Sequence, residues 1–144
     1  MMPDRARIEA LVPHAGSMCL LDAVLEWDDV HIVCRAPEPD AAHPLARAGS
    51  VPAIAAAEYA AQATAVHGAL LGDATAPRAG VLAKLMEVQL HGSCFAAGGG
   101  ALTVRADLLG RLDRACLYAF QVAGAAQPMA SGRLLVAFPP VVAA

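Results

Sequence analysis

The feature that most constrains this chain is an alanine-rich apolar segment, residues 51–71. Alanine has the strongest intrinsic preference for helix, so the segment is predicted to be helical. Because this helix is apolar almost all round, other structure must wrap it. Glu58 lies within it, where its carboxylate loses hydration, and that cost must be offset by a partner, a ligand or a proton. Chemistry is one good reason to keep a carboxylate there.

The length and charge of the chain limit its class. Its 144 residues predict one domain that is long enough to bury a sizeable core. With 58% hydrophobic and only 16% charged residues, part of the surface is expected to be covered in an oligomer. The formal net charge is −3 and no basic block is interleaved with aromatic residues, which argues against nucleic-acid binding.

The sequence predicts a soluble cytoplasmic protein that is not in a membrane. Residues 1–9 lack the apolar core of a signal peptide. Segment 51–71 carries Glu58, Gln62 and His67 and is too polar and too alanine-rich for a membrane span. The four cysteines are scattered, without a Cys-x-x-Cys pair, and are predicted to be small core residues in a reducing compartment. Neither a metal site nor a cofactor is predicted.

Alternating apolar residues predict a hairpin before the long helix. A short first helix is expected over Arg5–Leu11. Residues 19–27 and 30–36 alternate between apolar and polar, as half-buried strands do, and Asp28 and Asp29 signal the turn between them. The residues predicted to face the core are Cys19, Leu21, Ala23, Leu25, Trp27, Val30, Ile32, Cys34 and Ala36.

The long helix is expected to begin after a loop and to end at a glycine. Ser50 is predicted to cap it, Pro52 suits its first turn, and Gly72 is expected to end it in the left-handed conformation. Four strands are predicted to follow, at residues 81–90, 102–109, 115–122 and 128–138. This order predicts an α+β fold with the helix against one face of an antiparallel sheet. The other face, or an edge, is left to meet another subunit.

Two groups of residues carry a resemblance to a known family. His43-Pro44 is followed by Val51-Pro52, then by Glu58 six residues after that proline and Gln62 one helical turn later. This pattern resembles the hotdog-fold 3-hydroxyacyl-[acyl carrier protein] dehydratases, and the likeness spans about residues 8–138. The chain is more similar still to the dehydratase-like branch of aryl polyene-type pathways. The residues that carry that likeness are Pro13-His14-Ala15-Gly16-Ser17-Met18 and Glu58-Tyr59-Ala60-Ala61-Gln62.

The resemblance implies one hotdog domain over residues 1–144, with an antiparallel sheet wrapped around one long central helix. It implies dehydration of 3-hydroxyacyl thioesters, carried by acyl carrier protein or CoA, to trans-2-enoyl thioesters in fatty acid or polyketide-type biosynthesis. It makes His43 the catalytic base and Glu58 the catalytic acid, contributed by different subunits of a homodimer. The residues that it implies for substrate binding are Pro13, His14, Pro52, Ala53, Ile54 and Gln62. The amides near Ala53 and Ile54 are the candidates for polarising the thioester carbonyl.

Helical geometry gives an independent expectation. Gln62 lies one turn after Glu58 on the same face, so it can hydrogen-bond the carboxylate or line the site. His67 lies nine residues on, and at about 100° per residue it falls on the opposite face. We therefore expect His67 to stay outside the chemistry.

Alternatives remain open because the motifs depart from the family pattern. His43-Pro44-Leu45-Ala46 lacks the aromatic residue and the glycine of the family's His-Phe-Pro-Gly, and Ala53 replaces another glycine. One alternative is an acyl thioesterase on the same fold, with Glu58 activating water. Another is a non-catalytic hotdog subunit in a heterodimer with an active dehydratase. His14 is the alternative working histidine, and the dimers could assemble into a higher oligomer.

Overall fold

The alanine-rich segment forms the central helix of the structure. The computed structural model describes residues 2–11, 18–72, 81–96, 98–125 and 127–138. A 3-10 turn at Ala53–Ala55 leads into α2 at Ala56–Leu71. Its buried residues are spread around the helix, and Ala60, Ala63, Val66 and His67 are all 0% exposed. The prediction that other structure wraps this helix is confirmed.

One six-stranded sheet does the wrapping. The other elements are α1 (Arg5–Leu11), β1 (Ala23–Trp27), β2 (His31–Ala36), β3 (Val81–Leu90), β4 (Leu102–Leu112), β5 (Ala115–Ala123) and β6 (Pro128–Ala137). The strand order is β1-β2-β4-β5-β6-β3, so β1 and β3 form the two edges, and every neighbouring pair is antiparallel. Helix α2 packs against β2, β4, β5 and β6. The predicted α+β architecture is confirmed.

The first strand is shorter than predicted and turns different residues inward. β1 begins at Ala23, not at residue 19, and a bulge interrupts it, because Val24 pairs with Cys34 while Glu26 pairs with Val33. The extra residue, Leu25, has no paired residue in β2, so the alternation of buried and exposed side chains shifts by one position. Val24 is 2% exposed and Leu25 is 49% exposed. The prediction that Leu25 faces the core is therefore wrong.

The partner strand follows the predicted pattern more closely. Ile32, Cys34 and Ala36 are 0% exposed, as the alternation predicted. Val30 is 58% exposed, so its predicted inward orientation is wrong. It lies outside β2, in the turn, where Asp28 Oδ1 accepts hydrogen bonds from the Val30 and His31 amides at 2.9 Å. The predicted turn at Asp28 is confirmed.

Both predicted caps of α2 need correction. The Ser50 side chain makes no capping bond, because Ser50 belongs to a tight turn in which its amide and carbonyl pair with those of Arg47. Pro52 precedes the 3-10 turn instead. Gly72 does end the helix, but its φ of −89° and ψ of 154° are extended rather than left-handed. The Gly72 amide still bonds the Gly68 carbonyl at 3.1 Å, so the last turn of the helix is closed.

Gly132 shows why one strand position has no side chain. It pairs across the sheet with Phe120 of β5. A Cβ at Gly132 would lie 3.0 Å from Phe120 Cε2 and 3.2 Å from the Met86 carbonyl oxygen. The aromatic ring therefore covers the backbone of β6 at this point, so a methyl group fits only if the ring or the Met86 carbonyl shifts.

Within the described ranges, no helix is long and apolar enough to cross a membrane. The same residues contain no group of three or more His, Cys, Asp or Glu side chains that could hold a metal ion.

Candidate active site

Glu58 lies in the first turn of α2, where Gln62 holds its carboxylate. Gln62 Nε2 donates a hydrogen bond to Glu58 Oε1 at 3.0 Å, as the helical spacing predicted. Gln62 is itself 1% exposed. Its Oε1 accepts the Leu20 amide at 2.8 Å and its Nε2 donates to the Met18 carbonyl at 2.7 Å. One side chain thus ties the helix to the segment before β1 and orients the carboxylate.

The Glu58 side chain is half-buried at the wall of a cavity of about 530 Å³. Arg47 is the other charged residue that we find there among the described residues. Most of the remaining wall is apolar and comes from Met18, Pro44, Leu45, Pro52, Ile54 and Leu82. Two of the predicted substrate-binding residues, Pro52 and Ile54, therefore line the same cavity as Glu58.

The backbone near the 3-10 turn offers fewer donors than predicted. Ala53 is 1% exposed, and its amide donates to the Ser93 carbonyl at 2.9 Å. This amide is already used, so the prediction that it polarises a substrate carbonyl does not fit the structure. Ile54 is 51% exposed at the cavity wall, so its amide remains a candidate for polarising the substrate carbonyl.

His43 is held by two hydrogen bonds in the loop after β2. The Leu45 amide donates to its Nδ1 at 3.0 Å, and its Nε2 lies 2.9 Å from the Tyr59 hydroxyl. Because an amide can only donate, Nδ1 is the unprotonated nitrogen, so the neutral ring carries its proton on Nε2 and donates it to Tyr59. Burial lowers the pKa of His43, against a smaller opposite effect from Asp40, and burial raises the pKa of Tyr59 to about 12. Both groups are therefore neutral near pH 7.

His43 and Glu58 do not face the same cavity within one protomer. His43 lines a smaller cavity of about 180 Å³ with Tyr59, Asp40 and Arg5. Pro44 lines both this cavity and that of Glu58, so it lies between them. The predicted residues Pro13 and His14 lie outside the described residues.

His67 belongs to a separate buried network. It is 0% exposed, and its Nε2 donates to the Asp28 carbonyl at 2.7 Å. Its Nδ1 then accepts the Tyr118 hydroxyl at 2.7 Å. Burial lowers the pKa of His67 and raises that of Tyr118. With both ring nitrogens satisfied inside the core, His67 joins the helix to the sheet and takes no part in the Glu58 cavity.

A family model described as ApeP dehydratase, of the ApeP-like type, matches residues 6–144. Among solved structures, the dehydratase heterocomplex ApeI:P from Xenorhabdus doucetiae is similar, with 21% identity and a TM-score of 0.78 over 93% of this chain and 91% of that one. A mutant of the thioesterase PA1618 from Pseudomonas aeruginosa is 17% identical, with a TM-score of 0.69 over 96% of each chain. The E. coli PaaI protein from the phenylacetic acid degradation operon is 17% identical, with a TM-score of 0.58 over 79% of this chain and 80% of that one. The architecture that these structures share with the chain is the predicted hotdog fold. None of the curated protein sequences is significantly similar.

Proposed function

The chain belongs to the ApeP-like dehydratase family, and on that basis we propose that it removes water from 3-hydroxyacyl thioesters to give trans-2-enoyl thioesters. The observation that carries the proposal is the Glu58 carboxylate, which Gln62 holds at the wall of a largely apolar cavity. Acid–base catalysis on an acyl thioester requires a proton-transfer group that is held beside the acyl group. The Glu58 carboxylate at this apolar wall is such a group.

In the proposed reaction Glu58 takes the proton from carbon 2. The electron pair of that C–H bond forms the double bond as the bond from carbon 3 to the hydroxyl oxygen breaks. The departing hydroxyl then takes the proton from Glu58, so water leaves and the carboxylate is restored. Negative charge builds up on the thioester oxygen during the reaction, and a fixed hydrogen-bond donor must stabilise it.

We assign that donor role to His43. The family resemblance makes His43 the base, but a base needs a lone pair that can reach the substrate. In the structure Nδ1 accepts the Leu45 amide and Nε2 carries the proton, so neither nitrogen offers one. A neutral imidazole can instead donate Nε2–H to a carbonyl oxygen. In this role the substrate oxygen takes the place of the Tyr59 hydroxyl as the acceptor of that proton. The Ala53 amide already donates to the Ser93 carbonyl and is not available to the substrate. This supports a donor from another residue.

The proposed site spans two hotdog subunits. His43 and Glu58 line separate cavities within one protomer, so the pair can meet only if a second subunit brings its own histidine to the Glu58 cavity. The edge strand β3 supports such pairing, because Leu82 and Leu90 on it are 37% and 42% exposed. Leu82 also lines the Glu58 cavity, so a strand added to β3 lies beside the carboxylate. The partner is a second copy of the chain or, as in the ApeI:P heterocomplex, a different subunit.

A direct test measures product formation from 3-hydroxyacyl thioesters by the wild-type chain. The chain is assayed alone and co-expressed with a second, different hotdog protein. We expect enoyl product without free thiol, and a loss of at least about 100-fold in turnover for Glu58→Gln. Glu26→Gln is the matched control, because its side chain is 60% exposed on β1. Release of free thiol favours a thioesterase. Activity that needs the partner and survives Glu58→Gln favours a non-catalytic subunit.

A further inference from the structure

The Glu58 cavity holds an arginine that has no protein partner among the described residues. Arg47 is exposed at the wall, and neither its guanidinium nor the Glu58 carboxylate pairs with the other. Four other described arginines, Arg5, Arg35, Arg105 and Arg133, have a carboxylate within 4 Å. Arg47 is distinguished from the remaining ones by its place at the Glu58 cavity. An unpaired cation in a mostly apolar cavity is available to a ligand with an anionic group.

A strained turn fixes the position of Arg47. The Arg47 amide donates to the Ser50 carbonyl at 2.7 Å, and the Ser50 amide donates to the Arg47 carbonyl at 3.1 Å. The two residues between them are both left-handed, with φ of 52° at Ala48 and 82° at Gly49. Glycine adopts this conformation easily, whereas alanine does so at a steric cost. The surrounding structure therefore maintains a turn that the alanine alone disfavours, and this turn places Arg47 at the cavity wall.

The chemistry of the cavity indicates the kind of ligand. Its apolar wall suits an uncharged arm, and both Glu58 and Arg47 line it. A thioester carrier has this pattern, since the pantetheine arm joins the thioester to a phosphate. Arginine matches phosphate geometry because its guanidinium donates two parallel hydrogen bonds. The chain's net charge of −3 gives no overall attraction for an anionic carrier, so recognition depends on local cations such as this one.

We propose that Arg47 binds the phosphate of the pantetheine arm of the thioester substrate. This inference rests on the proposed function, because it takes the substrate to be a thioester whose reacting carbon reaches Glu58. The phosphate comes from a carrier protein, where it is a diester, or from CoA.

The binding test uses 4′-phosphopantetheine and pantetheine as probes, with calorimetry on the purified protein in low salt. We expect wild type to bind phosphopantetheine about tenfold more tightly than pantetheine, and Arg47→Gln to lose that preference while its affinity for pantetheine is unchanged. Arg7→Gln is the matched control, because Arg7 is exposed on α1. Equal binding of the two probes by wild type, or an unchanged preference in Arg47→Gln, overturns the inference.

Kinetics separate the two phosphate sources. The same 3-hydroxyacyl group is supplied on carrier protein, on CoA and on N-acetylcysteamine, which has no phosphate. We expect Arg47→Gln to raise KM about tenfold for whichever phosphate-bearing thioester is the substrate, with kcat unchanged, and to leave the N-acetylcysteamine thioester unaffected. Equal losses on all three contradict the assignment. If wild type forms no enoyl product from any thioester, either alone or co-expressed with a second hotdog subunit, the proposed function fails. The binding test still decides the role of Arg47.

Discussion

Gln62 offers the sharpest test of how the candidate site is built. Its amide makes hydrogen bonds to the Leu20 amide, the Met18 carbonyl and the Glu58 carboxylate. Gln62→Met keeps the length of the side chain but removes all of these bonds. The Leu20 amide, in a residue that is 6% exposed, is then left buried without its acceptor, which costs about 1–3 kcal/mol. Met18 is 40% exposed, so water can replace the bond to its carbonyl.

The Glu58 bond adds about 0.5–1 kcal/mol, because the carboxylate is only half-buried. The burial of an apolar thioether in place of an amide recovers part of the loss. The net expectation is a decrease of about 2–3 kcal/mol in the free energy of unfolding, measured by urea denaturation with an unchanged m value. For a chain of this size the decrease lowers Tm by about 5–10 °C.

The control is Gln121→Met, since Gln121 is exposed on β5 and its replacement is expected to change stability by less than about 0.5 kcal/mol. Turnover of Gln62→Met is expected to fall further than its folded fraction does, because the Glu58 carboxylate loses its hydrogen bond to Gln62. A loss of stability below about 0.5 kcal/mol in Gln62→Met would refute the reasoning, since the buried Leu20 amide must then have found another partner.

Substitutions at His67, Gly132 and His43 test other parts of the structure. Burial lowers the pKa of His67 in the folded state, so the unfolded chain binds the proton first and stability falls as pH drops below about 6.5. Urea denaturation at pH 5 and pH 8 measures this fall, which should shrink in His67→Gln. Gly132→Ala is expected to cost about 1–3 kcal/mol, because its methyl group must displace the Phe120 ring, and thermal denaturation checks it. His43→Ala should lower kcat about 10²–10³-fold. His43→Gln keeps a hydrogen-bond donor and should retain more than about a tenth of the activity. Equal losses in both variants would show that His43 acts as a base instead.

Sequence reasoning predicted the elements whose signals are local. The bounds of α1 and β3 agree with prediction, since periodicity and the neighbouring loop residues define them. β1 was predicted less well. Whether Leu25 faces in or out depends on the bulge opposite β2, and pairing between strands, not the alternation within one strand, decides that.

The same distinction holds for the site. The bond between Gln62 and Glu58 is one helical turn long, so the spacing alone predicts it. The contact of His43 with Tyr59 joins residues 16 apart across a loop, and no periodicity encodes it. The general signal was that a buried tyrosine hydroxyl needs a partner, which does not identify the partner.

Arg47 was missed because its importance depends on a turn that the sequence only hints at. Gly49 beside Ala48 is a weak hairpin signal, and the left-handed conformation of both residues emerges only in the folded loop. Ser50 is a similar case, because a serine before a helix fits both a cap and a tight turn, and the sequence does not distinguish them.

The most direct test of the account is hydration of a trans-2-enoyl thioester in heavy water, which runs the proposed reaction backwards. Mass spectrometry measures the rate at which deuterium enters carbon 2. Wild type and His43→Gln should both incorporate it, and Glu58→Gln should fall to the background rate, because in the proposed reaction Glu58 alone moves the proton. Incorporation by Glu58→Gln at the wild-type rate, or its loss in His43→Gln instead, would contradict the central claim.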